Sequence, residues 1–166
     1  LDSGERTLLQ QTVPVTLWPR TRFVREWRGE SAFGDPIRLE KTIAAWVMPH
    51  ESFVEKFIAE AKTRLPHGWE FYGGAGFGTI PMKEQVRAMY DLLQSRGTSY
   101  VAYTHGNDRW GNYQDVRLPS QVYRTSNNLF FEGTVLFASL MEGIGMIPVI
   151  VLRPGHAYIG WLDPDG

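Results

Sequence analysis

The sequence predicts an α+β fold in which a buried central helix packs on an antiparallel sheet, with a β-rich N-terminal extension ahead of it. Three observations carry this. Around residues 13 to 27, apolar and polar side chains alternate, the period of a half-buried strand. From Leu129 to Ile144, apolar residues cover most of a helical circumference, as in a helix surrounded by core. Met146 to Trp161 then gives two apolar segments separated by Pro154-Gly155, a chain that turns back on itself.

The elements follow in order. Residues 1–10 read as a loose lead-in. Gln11 to Trp18 alternates, with Val13, Val15 and Leu17 on one face, and Pro14 marks an edge strand. Arg22 to Arg28 repeats the pattern with Phe23 and Trp27. Gly34-Asp35-Pro36 is a turn, and Ile37 to Val47 reads as a third strand. Residues 1–48 therefore form a β-rich segment with the look of the end of a preceding domain, and 49–166 form the main domain. There, Ser52 and Glu55 make a capping box, and Phe53, Val54, Phe57, Ile58 and Ala61 line one face of a helix ending at Leu65-Pro66. Gly68 to Thr79 is a loop, and a second helix runs from about Lys83 to Gln94, stopped by Gly97. Ser99 to Tyr103 is a short strand, Thr104 to Tyr113 a polar loop, and Pro119 to Tyr123 a turn. The main helix spans Leu129 to Gly143, with Gly145 as its stop. Met146 to Leu152 is apolar enough for a central strand, and His156 to Trp161 returns beside it. The chain leaves that strand into Asp163-Pro164-Asp165-Gly166, so the expectation is a domain truncated at its C-terminus, with the remainder of its own polypeptide as a partner.

Composition limits the function. The chain has 166 residues, 43% of them hydrophobic, enough for a real core. Its net charge of −1 offers no field for nucleic acid or an anionic membrane. Arg20, Arg22, Arg25 and Arg28 cluster, but Glu26 and Glu30 interrupt them, as on a solvated strand face. Zero cysteines exclude disulfides, thiolate metal sites and a cysteine nucleophile. Glu142 and the glycines and proline that follow break the apolar run Val135–Leu152, so no membrane insertion is expected. The N-terminus has no basic region followed by an apolar block, and the compartment stays open. His50, His67 and His105 lack ligand spacing, so no metal is expected. Gly73-Gly74-Ala75-Gly76-Phe77-Gly78 fits neither a dinucleotide nor a phosphate loop, and no cofactor is expected. Trp69, Phe71, Tyr72 and Phe77 around it, and Trp110, Tyr113 and Tyr123 further on, are core rings or contact surfaces.

One arrangement is specific. Leu118-Pro119-Ser120 makes a proline-led turn, Asn128-Leu129-Phe130-Phe131-Glu132 opens the main helix, and Leu136 to Glu142 forms its body. Gly145-Met146-Ile147-Pro148-Val149 exits into a strand, and Pro154-Gly155-His156-Ala157 follows. From about Tyr100 to Trp161 this pattern resembles the transglutaminase-like superfamily, a papain-like group whose bacterial members read Gly-Asp-Cys-Glu-Asp, apolar helix, strand and Gly-His-Ala. The resemblance implies a papain-like fold within a larger bacterial protein. In such a site the helix N-terminus and a histidine lower the pKa of a thiol, and a carboxylate orients the histidine.

The resemblance places Phe130 in the cysteine's slot, and phenylalanine is neither nucleophile nor base. The degenerate site is then Phe130, Glu132, His156 and Asp163, the last being the candidate orienting carboxylate although the family's comes later in the chain. The expected function is a catalytically inactive, protein- or peptide-binding or scaffolding module. Two alternatives stay open. One is a hydrolase or transferase with displaced chemistry, using Ser126 or a Glu132/His156 pair; the other is a purely structural assembly unit. Capping of the main helix is the plainer role for Ser126 or Asn127, and a satisfied, partly buried pair the plainer role for Glu132 and His156. His156 either packs in a closed pocket or lines a cleft that still binds a peptide or glutamine-like group.

Overall fold

In the computed structural model, which describes residues 11–15, 17–27, 37–71, 81–100, 113–153 and 156–162, helix α4 (Phe130–Gly143) organises the molecule. Val135, Leu136, Ala138, Leu140 and Met141 are all buried, so the helix is enclosed as its circumference of apolar residues predicts. The fold is α+β. On one side of α4 lie α1 (Ser52–Ala61) and α3 (Pro119–Thr125), and α2 (Met82–Ser95) joins the same core through α1. On the other side lies an antiparallel hairpin of β7 (Pro148–Arg153) and β8 (His156–Trp161).

Helix α1 buries Phe53, Val54, Phe57 and Ala61, the stripe that its spacing predicts. Its start differs from expectation. Glu51, not Ser52, occupies the N-cap, and no side chain caps it, so the Ser52–Glu55 capping box does not form. At the far end α4 passes very close to α1: a Cβ added to Gly143 would lie 2.5 Å from Val54 Cγ1 and 3.2 Å from Ile58 Cδ1.

The hairpin's register sets its two faces. Leu152 pairs with Ala157, Ile150 with Ile159 and Pro148 with Trp161, and Ala157, Ile159 and Trp161 pack into the clusters around α4. Arg153 pairs with His156 and Val151 with Tyr158 on the opposite, open face. Strand β7 is therefore half-buried rather than central; Val151 is 45% exposed despite the continuous apolar run.

Three more short pairings occur among the described residues. Strand β1 (Arg22–Val24) pairs antiparallel with β5 (Tyr113–Asp115), and β2 (Glu26–Trp27) with β3 (Ile37–Arg38). Strand β4 (Ser99–Tyr100) pairs parallel with β6 (Asn127–Asn128). Phe23 of β1 is fully buried, 5.0 Å from the Phe131 ring of α4 and 5.6 Å from Trp46. Phe23, Ile43, Trp46 and Val47 thus join Phe131 and Val135 of α4 in one core cluster.

Several expectations are corrected. Ile37–Val47 is a strand only at Ile37–Arg38; Glu40–Trp46 is a 3₁₀ helix. Leu39, Ile43, Trp46 and Val47 in fact follow helical spacing, and only Ile43 among them is fully buried. Residues 11–15 and 17–18 form no strand, and Val13, Val15 and Leu17 are exposed. Pro119–Tyr123 is not a turn but the body of α3, whose Leu118 N–H donates to the Gln121 side chain at 2.9 Å. Tyr72, the glycine-rich segment 73–78, His105, Trp110 and Asp163 lie outside the described residues.

Candidate functional site

The site forms where the start of α4 meets the start of β8. Leu129 turns the chain into the helix with extended backbone, which leaves its N–H free to bond a side chain one turn on. Glu132 supplies that acceptor: the Leu129 N–H donates to Glu132 Oε2 at 3.0 Å. Ser126 and Asn127 do not cap α4. Ser126 ends α3 in the left-handed region, φ 51°, and its N–H donates to Val122 O. Asn127 lies in β6, and its side-chain oxygen accepts from Arg117.

Arg117 is the residue that sequence reasoning missed. Its Nε donates to Glu132 Oε1 at 2.9 Å, its Nη2 to Glu132 Oε2 at 2.7 Å, and its backbone N–H to Oε1 at 3.0 Å. The remaining guanidinium donors reach Thr125 Oγ1, Asn127 Oδ1 and Asn127 O. One arginine thereby ties α3, β6 and the start of α4 together. Glu132 is only 1% exposed. Burial alone would raise its pKa, but hydrogen bonds from the Arg117 side chain and from the Leu129 and Arg117 amides, with the Arg117 charge, hold it below the ordinary 4.5. Both carboxylate oxygens are thus committed. Glu132 faces Arg117, not His156.

Phe130 and His156 do come together. Their ring centroids are 5.1 Å apart and tilted by 31°, so the phenyl lies against the imidazole. Tyr158, two residues along β8, also meets His156, edge-on at 4.4 Å. The imidazole makes no hydrogen bond to a described residue. His156 is nevertheless exposed, and it borders a groove of about 540 Å³. Phe23, Phe130, Phe131 and Leu152 give the groove an apolar floor. Arg25 and Arg38 from around β2 and β3, and Arg153 from the end of β7, also line it.

The other aromatic residues separate. Tyr113 stacks with Arg22, 4.3 Å from guanidinium carbon to ring centroid, and meets Trp18 edge-on. Tyr123 instead packs among Phe53 and Phe57, so these rings form no common patch. Among the described residues, no group of three or more His, Cys, Asp or Glu gathers to hold a metal ion, and no helix is long and apolar enough to cross a membrane.

The arrangement offers stacking, apolar contact and guanidinium hydrogen bonds to a ligand. Among the described residues that line the groove there is no serine, threonine or cysteine. No family model matches this chain, and neither a search of curated proteins nor one of solved structures finds a match.

Proposed function

We propose that this chain is a catalytically inactive transglutaminase-like domain that acts as a binding module, taking a protein or peptide segment in the groove beside His156. The observation that carries this reading is the Phe130–His156 contact. A phenyl ring lies against the imidazole where the resemblance calls for a thiol, while an open groove remains next to it. Thiol chemistry requires a hydrogen-bonded thiol–imidazole pair with an oriented histidine. Here the imidazole touches two aromatic rings and is hydrogen-bonded to no described residue. Displaced chemistry fares no better. Glu132 is locked to Arg117, and Ser126 spends its unusual backbone conformation on ending α3. A purely structural unit would leave the groove at this site without a use.

The test is a pair of assays on the whole chain. Neither the natural protein nor Phe130→Cys should incorporate a labelled amine into a glutamine-containing peptide. Both should bind peptides from a random-sequence library, and His156→Ala should weaken that binding. Amine incorporation or amide hydrolysis by the natural chain, abolished by His156→Ala, would overturn the reading.

A further inference from the structure

We infer that the groove beside His156 is selective for an acidic peptide segment, one that sets carboxylate side chains against its arginines and an apolar side chain on its aromatic floor. This rests on the binding-module reading and names the class of partner. The whole chain carries −1, yet Arg25, Arg38 and Arg153 converge on this groove, and Glu40 is the one acidic residue among its described lining. Three positive charges and one negative therefore line this cleft, against a net −1 for the chain. That pattern recognises a local anion; it does not track a polyphosphate backbone.

The three arginines also come from separate elements. Arg25 stands between β1 and β2, where its carbonyl accepts the Leu39 N–H at 2.7 Å, and Arg38 lies in β3. Arg153 closes β7 directly opposite His156. Arg153 has no ion-pair partner among the described residues, and the Arg38–Glu40 contact of 3.2 Å is a solvent-exposed pair of the kind a ligand displaces cheaply. Guanidinium groups bind carboxylates bidentately, so Arg38 of β3 and Arg153 of β7 suit two acidic side chains of one segment. Between them, Phe130 and Leu152 present apolar surface that a small inorganic anion would leave unused. Gln114 adds a side-chain amide able to bond a peptide backbone. At about 540 Å³, the groove falls within the usual range for a ligand site, roughly 300–1,000 Å³.

Fluorescence polarisation on the full chain tests this, using a labelled peptide of alternating glutamate and leucine and the same peptide with glutamine replacing glutamate. The acidic peptide should bind, the glutamine version should bind at least about tenfold more weakly, and Arg153→Glu should weaken the acidic peptide by about tenfold, the worth of one hydrogen bond to a charged group. Arg87→Glu, on α2 and outside the groove, should change nothing. Raising the salt from 0.1 to 1 M, which shortens the screening length from about 10 to 3 Å, should weaken binding. Arg153 is exposed, so its variant should melt with the parent, and a circular dichroism melt checks this. Equal binding of both peptides would overturn the acidic assignment and leave the binding module standing. Tighter, Arg153-dependent binding of a single-stranded oligonucleotide would replace the peptide with nucleic acid. If neither these peptides nor the library binds, both readings fall.

Discussion

Replacing Glu132 by alanine is the most instructive perturbation, because the carboxylate is buried and hydrogen-bonded on both oxygens. Four hydrogen bonds converge on it, from Arg117 N, Nε and Nη2 and from Leu129 N. Removing it leaves two backbone amides without that acceptor and a guanidinium, 26% exposed, without its counter-charge. Breaking one partner of a buried ion pair costs about 3–5 kcal/mol. For a chain of this length that corresponds to a fall in melting temperature of roughly 6–20 °C. Urea denaturation followed by circular dichroism gives the free energy, and adding Arg117→Ala completes a double-mutant cycle. The double variant should lose less than the sum of the single losses, with a coupling of about 1–3 kcal/mol. The pH dependence supplies a second reading. Because the folded-state pKa is depressed, the stability Glu132 contributes is complete above the ordinary 4.5 and is lost as pH falls through the lower, folded value. The parent should lose stability more steeply than Glu132→Ala in that acid window. A loss under about 1 kcal/mol at neutral pH, the range of an exposed pair, would refute the claim that this carboxylate locks the start of α4.

Four further outcomes follow from the same geometry. Ser139→Ala should destabilise by about 1–3 kcal/mol in urea, since the buried hydroxyl accepts the Met48 N–H at 2.9 Å and nothing else described replaces it. Gly143→Ala should cost about 1–3 kcal/mol through overpacking, because its methyl would meet Val54 Cγ1 at 2.5 Å. Ser126→Gly should be neutral or stabilising by up to about 1 kcal/mol, since glycine adopts the φ of 51° without strain, and its ligand binding should equal the parent's. Phe130→Ala should cost about 1–2 kcal/mol, less than a fully buried ring, and leave amine incorporation absent.

The main helix and the returning strand are legible in the sequence because each buries a long, periodic face: α4 matches Leu129–Gly143 to one residue, and β8 matches His156–Trp161. The three-residue and two-residue strands are not, since so little of each face is buried that the alternation around Leu39–Val47 cannot be told from a tight helix. At the site, the sequence points to the Phe130 slot and to His156, which the fold does bring together. It pairs Glu132 with the wrong neighbour, because a helix-start glutamate reaches back over its own N-terminus, and the arginine waiting there lies fifteen residues earlier on another element. The arginine groove is invisible for the same reason. Arg25 reads as part of a solvated strand face, and Arg38 and Arg153 stand far apart in the chain until β3 and β7 place them around one cleft.

The central claim is that His156 borders a working binding groove rather than an active site, and His156's own ring resonances test it most directly. They would be followed by two-dimensional ¹H–¹³C NMR while the chain is titrated with the glutamate–leucine peptide. The account predicts that the His156 resonances move to saturation, that those of the remote His50 and His67 stay in place, and that the peptide spectrum shows no product. Unmoved His156 signals while the peptide binds would place the site elsewhere, and peptide converted to product would restore catalysis to the chain.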